Sequence, residues 1–140
     1  LGVISLLTKF GMMLSTALLS MCSPQIDAAK PIEGRCVQYE PLLELVQPET
    51  GWNIVRMSKI MFRESRCTPN IRSTTSDTGL LQINDINHTY LGDQWGTHVS
   101  WGMLTNPTLN VLAAAQLFDY WHNATGNGYQ PWKLTDRTNP

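Results

Sequence analysis

The chain has 140 residues, of which 15% are charged, and its formal net charge is −1. That length holds one compact domain, and the near-neutral balance excludes a nucleic-acid protein driven by bulk electrostatics, which would be basic. Five tryptophans are more than core packing needs at this size, so an aromatic-lined cleft is expected.

The first element in chain order is the apolar run VISLLTKFGMMLSTALLSMC, with Lys9 as its only charge, followed by SPQIDAAK. An apolar stretch followed by small residues has the order of a secretory signal cut after Ala28. The rival assignment is an uncleaved membrane anchor, because the stretch approaches spanning length. Residues 1–28 are therefore expected to be a signal peptide or membrane anchor, and residues 29–140 the functional domain. Of three cysteines, Cys22 would leave with a signal. Cys36 and Cys67 remain, and in a small exported domain two cysteines most simply form one disulfide; the alternative is two free buried thiols. His88, His98 and His122 lack ligand spacing and no paired-cysteine motif is present, so no metal is expected.

YEPLLELVQPETG reads as a short helix ended by Pro48 and Gly51. WNIVRMSKIMFRES is a second, well-patterned helix, and RCTPNIRSTTSDT is a polar loop rich in breakers. GLLQIN is a short apolar run, either strand or helix start, which periodicity alone does not decide. Residues 85–105 are expected to be irregular with short helical pieces. NPTLNVLAAAQLFDYWHNATGNG is a helix with Asn106 as N-cap, Pro107 in its first turn and Gly126 as its stop. Leu109, Leu112, Ala113, Gln116, Leu117 and Tyr120 fall near one face of it.

The second helix carries an anomaly. At 100° per residue, Ile54, Met57, Ile60, Met61 and Glu64 share an arc of roughly 120°. Arg56, Lys59, Arg63 and Arg66 form a separate basic stripe pointing away from Glu64. A carboxylate set among apolar side chains is desolvated, which disfavours its ionised form. Such a group can hold a proton near neutral pH and donate it as a general acid. The bland alternatives are that Glu64 reaches water at the fraying helix end, or that it pairs with an arginine.

Glu64-Ser65 at a helix end, a polar loop, then Gly79-Leu80-Leu81-Gln82-Ile83-Asn84 resembles the lysozyme superfamily, which includes soluble lytic transglycosylases, phage-type muramidases and animal lysozymes. NPTLNVLAAAQLFDYW is similar to that superfamily's helix after the cleft, which commonly opens Asn/Asp-Pro-x-x-Asn, and GYQPW is similar to its closing aromatic segment. The resemblance implies a small, mainly α (α+β lysozyme-like) single domain with a catalytic cleft. It implies cleavage of the β-1,4 bond between N-acetylmuramic acid and N-acetylglucosamine in peptidoglycan, with Glu64 as general acid and without a metal or organic cofactor. Gln82 and Asn84 match cleft-lining positions whose amides can bind N-acetyl groups and ring hydroxyls; the alternative is a turn-stabilising role. Tyr129 and Trp132 are candidate sugar platforms or parts of the Glu64 pocket, against the alternative of core packing. Ser65 is expected to support the helix end.

Asp77 separates two mechanisms. Retaining glycosidases place two carboxyl groups about 5–5.5 Å apart and inverting ones about 6.5–9.5 Å apart. An acidic residue just before the corresponding glycine is present in animal-type lysozymes, so the resemblance makes Asp77 a candidate second carboxylate and favours hydrolysis slightly. Lytic transglycosylases use the single glutamate and let the sugar's own hydroxyl attack, giving an anhydro product. Asp77 can equally cap a turn in TSDTG. The expected protein is a monomeric muramidase, secreted or in the cell envelope, or virion-associated. Its partner is peptidoglycan glycan strands and not nucleic acid, and it meets a membrane only through an uncleaved N-terminal segment. A different class, a non-catalytic wall-binding or virion structural protein, would keep the scaffold without needing Glu64.

Overall fold

The structure, a computed structural model, describes residues 34–135. The signal or anchor assigned to residues 1–28 and the polar tail beyond residue 135 lie outside the described residues. Among the described residues four α-helices and one two-stranded sheet make up a small, mainly α domain, as the resemblance implies.

Helix α1 (Glu40–Thr50) follows a 3-10 turn at Val37–Tyr39. Pro48 does not end it, contrary to the sequence expectation. Pro48 lies inside the helix, and its missing N–H deprives only the carbonyl of solvent-exposed Glu44 in the last turn. Gly51 is the true stop, left-handed at φ 65° with its N–H on the Gln47 carbonyl. Helix α2 (Ile54–Ser65) starts where the Asn53 side chain accepts the Arg56 N–H at 2.9 Å. It buries Met57, Ile60 and Met61 completely, together with Ser58 and Ser65.

GLLQIN proves to be a turn that feeds a strand. Strand β1 (Asp77–Thr78) pairs antiparallel with β2 (Ile83–Asn84), Asp77 opposite Asn84 and Thr78 opposite Ile83. Leu80, Leu81 and Ile83 point into the core. The stretch expected to be irregular contains a 3-10 turn at Asp85–Asn87, helix α3 (His88–Trp95) and a 3-10 turn at Met103–Thr105.

Helix α4 (Pro107–Thr125) has the caps read from the sequence. The Asn106 side chain accepts the N–H groups of Thr108 and Leu109, and Gly126 closes the helix at φ 78°. The predicted apolar face needs correction: Tyr120 is 46% exposed, whereas Asn110, Val111 and every residue from Ala113 to Phe118 are buried. The cause is position. Helix α4 packs against α1, β2 and the C-terminal turn at once, and a helix enclosed on several sides is apolar around most of its circumference. Trp52 and Tyr129 pack edge-on against Phe118 from either side of it. Among the described residues no helix is long and apolar enough to cross a membrane.

Candidate active site

A cavity of about 430 Å³ opens beside the end of α2, lined by Arg63, Glu64, Asp77, Gln82, Pro131, Trp132 and Lys133. Two segments distant in sequence, the α2 end and the β1–β2 loop, are thereby brought to one space with the closing aromatic segment.

Glu64 occupies the rim where the apolar floor of α2 meets this cavity. Met57, Ile60 and Met61 beneath it are fully buried, but the Glu64 side chain is 25% exposed. The basic stripe does not point wholly away from it. Arg63 Nε and one terminal nitrogen both donate to Glu64 Oε1, at 2.9 and 2.5 Å, and that terminal nitrogen also donates to the Trp132 carbonyl at 2.9 Å. The angular separation of neighbouring residues on a helix is overcome by the length of the arginine and by the acceptor that Trp132 offers across the cavity. Oε2 of Glu64 accepts no hydrogen bond among the described residues.

The helix end that presents Glu64 is pinned. Arg66 and Cys67 are both left-handed, at φ 52° and 61°, a conformation costing non-glycine residues roughly 1–2 kcal/mol each. The Cys36–Cys67 disulfide, with Cα atoms 5.5 Å apart, holds them there. A crosslink spanning 31 residues contributes about 3–4 kcal/mol by restricting the unfolded chain. The Cys36 N–H bonds Ser58 Oγ, so the crosslink is tied to the body of α2, and Ser65 Oγ donates to the Met61 carbonyl within the last turn.

Asp77 is held very differently. Its Oδ2 accepts the hydroxyls of Ser73 at 2.7 Å and Thr75 at 2.5 Å, and its Oδ1 accepts Asn84 Nδ2 at 2.8 Å. Partial burial pushes its carboxyl up, but the hydrogen bonds from Thr75, Asn84 and Ser73 outweigh that and leave it below the ordinary carboxylate value. Asn84 is consumed by the same loop. It also donates to the Thr75 carbonyl and accepts the Ile86 N–H, and it does not line the cavity. Gln82 does line it. Its Nε2 is spent on the Gly79 carbonyl at 2.9 Å, which leaves Oε1 without a partner among the described residues.

The two aromatic candidates part company. Trp132 borders the cavity, with its indole N–H on the Leu81 carbonyl at 2.9 Å and its own carbonyl on Arg63. Tyr129 is a core residue: it is 6% exposed, its hydroxyl accepts the Asn53 N–H, its ring packs on Phe118, and it is not among the lining residues. Among the described residues no group of three or more His, Cys, Asp or Glu could hold a metal ion.

Sequence reasoning missed Arg63 and Lys133 as lining residues and Asn110 as the anchor of the loop. Asn110 on α4 is fully buried. Its side chain accepts the Leu81 N–H at 2.8 Å and donates to the carbonyls of Thr78 and Leu104 at 2.9 Å. Gly79 lies flat against it at φ 80°, where a Cβ would meet the Asn110 amide and the Leu104 carbonyl oxygen at less than 3.0 Å. The asparagine of the NPTLN run and the glycine of GLLQIN are thus two halves of one contact, a signal present in both motifs but assigned to neither.

The family profile of the Transglycosylase SLT domain matches residues 46–135. The chain belongs to this family. Members of the SLT family are lytic transglycosylases, and membership makes this chain an enzyme of lysozyme-like, peptidoglycan-cleaving activity with peptidoglycan as its substrate. The matched span begins within α1 and contains Glu64, the β1–β2 loop, Asn110 and Trp132, so the whole cavity lies inside the SLT domain. No match was found among curated proteins or among solved structures.

Proposed function

We propose that this SLT domain is a lytic transglycosylase that cleaves the β-1,4 bond between N-acetylmuramic acid and N-acetylglucosamine with Glu64 as its only catalytic carboxyl group. The carrying observation is the unequal state of the two carboxylates on the cavity: Glu64 keeps Oε2 open, whereas both oxygens of Asp77 are taken by Ser73, Thr75 and Asn84. In the forward step Glu64 gives its proton to the glycosidic oxygen, the C1–O bond breaks, and positive charge develops on the muramic sugar. The Glu64 carboxylate then takes the proton of that sugar's 6-hydroxyl as the oxygen attacks C1. The ring closes to the 1,6-anhydro product and the proton is back on Glu64. Gln82 Oε1 would accept an N-acetyl N–H or a ring hydroxyl, and the Trp132 edge would face a sugar ring. Asp77, kept ionised on the same cavity, would add electrostatic stabilisation to the positive sugar without attacking it.

Hydrolysis is the second reading, and the presence of Asp77 on the same cavity favours it. Mass analysis of fragments released from purified peptidoglycan separates the two. Anhydro-ended fragments are expected. Reducing-ended fragments, heavier by one water, would select hydrolysis, and no release at all would select the non-catalytic wall-binding class. Action in the cell envelope after export is part of the proposal. It is supported by the disulfide, which persists in oxidising compartments, and by the apolar run that precedes the domain in the sequence.

A further inference from the structure

Strand β1 has two faces. Successive side chains of a strand leave opposite sides, so Asp77 turns to the cavity of Glu64 and Thr78 turns away from it. On the Thr78 side Arg72 makes a three-way link. Its guanidinium donates to Thr78 Oγ1 at 2.8 Å, grips both oxygens of Asp85 at 3.0 and 2.6 Å, and lies 5.3 Å from the centre of the Trp101 ring. The hydrogen bonds from Arg72 hold the Asp85 carboxyl below the ordinary carboxylate value, so the pair stays ionised and is neutral as a whole. Trp101 remains 52% exposed, although its turn is fixed by the Met103 N–H on the Ser100 carbonyl and the Leu104 N–H on the Trp101 carbonyl. Isolated exposed apolar residues are ordinary, but here they gather. Of the six large hydrophobic side chains exposed among the described residues, Ile71, Ile86 and Trp101 belong to this link or adjoin it in the chain.

Asp85 also joins the aromatic to a second cavity. Its Oδ1 lies 3.3 Å from Nε2 of His88, which lines a space of about 520 Å³ along α3 with Thr89, Asp93, Thr97 and His98. Gly92 lets the wall close, since a Cβ there would meet the Thr97 carbonyl oxygen at 2.9 Å. The volume lies in the range of small-molecule sites, about 300–1,000 Å³, and no lining residue is shared with the cavity of Glu64. Among the described residues no lysine or arginine lines it, so an anionic ligand would meet no counter-charge. Carboxylate, imidazole and hydroxyl side chains suit a neutral ligand rich in hydroxyl groups. An exposed indole suits the apolar C–H face of a pyranose ring. The neutral sugar of a peptidoglycan strand offers both.

We propose that Trp101, the Arg72–Asp85 pair and the α3 cavity form a second glycan-binding site, which takes neutral N-acetylglucosamine units of a peptidoglycan strand and holds the enzyme on the wall. Its occupant is a stretch of strand other than the one being cut. Two contacts to one insoluble polymer raise the effective concentration of each for the other. The inference rests on peptidoglycan as the substrate and not on which carboxyl group donates the proton.

The test measures sedimentation of the protein with purified, insoluble peptidoglycan. Glu64→Gln, used so that the polymer stays intact, is compared with the same protein carrying Trp101→Ala or Trp101→Phe. Trp101→Ala is expected to raise the apparent Kd about tenfold, the scale of one lost aromatic anchor, and Trp101→Phe to raise it less. Equal binding by all three overturns the proposal. The Trp101-dependent part of binding should persist on strands stripped of peptide by an amidase. Its disappearance there would mean that the site reads peptide, and would overturn the glycan assignment. With Glu64 native, Trp101→Ala should raise KM on insoluble wall several-fold more than on short soluble fragments, which cannot reach both sites. An equal rise on both substrates would put Trp101 in the catalytic cleft and also overturn the proposal. A last readout needs no change at Trp101. NMR titration of Glu64→Gln with the N-acetylglucosamine tetramer should move the Trp101 indole N–H and the His98 ring signals as well as the Trp132 indole N–H beside Glu64. Trp101 and His98 signals that stay in place would overturn it.

Discussion

Two carboxylates face one cavity, and the chain holds them in opposite ways. Glu64 lies in the last turn of a helix whose following residues are crosslinked through Cys67 to Cys36, but among the described residues its side chain has one partner, Arg63, and one open oxygen. Asp77 opens the short strand β1, which carries no crosslink, yet its side chain is fixed by Ser73, Thr75 and Asn84. Rigidity is placed in the backbone for one and in the side chain for the other. A group that exchanges protons, as proposed for Glu64, needs a free oxygen on a fixed mount, and of these two carboxylates Glu64 has it. A group that organises a turn needs its oxygens filled, as those of Asp77 are.

The comparison breaks first, and by the largest amount, at Glu64. Glu64→Gln keeps the shape and removes the proton, so release of wall fragments should fall by about a hundredfold to ten-thousandfold, with thermal stability changed by less than about 1 kcal/mol because the pair lost is partly exposed. A variant that clears wall at the wild-type rate in a zymogram would end the assignment.

The mounts come next. Asn110→Ala strands the Leu81 N–H and the Thr78 and Leu104 carbonyls in the core, and at about 1–3 kcal/mol for each unpaired group the expected loss is near 4 kcal/mol in denaturant unfolding. A loss below about 1 kcal/mol would mean the loop does not hang from α4. Removing the disulfide as Cys36→Ser with Cys67→Ser should cost about 3–4 kcal/mol. It should also lower kcat more than KM rises, since the strained Arg66–Cys67 end that aims Glu64 is released; an unchanged kcat would detach the crosslink from the site.

The smallest effect is a pH dependence carried by Asp77. Its folded-state pKa is lowered, so its contribution to stability is complete above the unfolded value, about 3.9, and is lost as pH falls through the lower folded value. Hydrogen-exchange protection of the Asp77 and Ser73 amides, which close the turn, should therefore hold at about pH 5 and weaken only in stronger acid. Asp77→Asn should flatten that dependence. A loop that loosens already near neutral pH would contradict the picture of a saturated carboxylate.

The same contrast explains what the sequence could and could not convey. Caps and periodicity are local, so α4 was legible with Asn106 as its cap and Gly126 at its stop, and α2 to within two residues, Asn53 capping the helix rather than lying inside it. Glu64 stood out because it broke a helical pattern, and the resemblance of the downstream motif made it a candidate acid; the structure places it on the cavity. The pairing of Glu64 with an arginine, stated as an alternative, is what the structure shows; helix angles pointed Arg63 away because the acceptor that draws its guanidinium inward, the Trp132 carbonyl, lies 69 residues away. Tyr129 and Trp132 share one short segment, yet only tertiary packing sends the first into the core and the second to the cavity. The buried circumference of α4, which exposed Tyr120 against expectation, has the same origin: how many sides of a helix are covered is a property of its neighbours.

The most direct test of the central claim is the product spectrum of Asp77→Asn acting on purified peptidoglycan, read by mass spectrometry beside wild type and Glu64→Gln. The account predicts anhydro-ended fragments from Asp77→Asn at a rate within about tenfold of wild type, the scale expected when one stabilising charge is removed from a site whose acid is intact, and none from Glu64→Gln. Loss of all products in Asp77→Asn with its fold intact, or reducing-ended fragments from the wild type, would contradict a single-carboxylate mechanism.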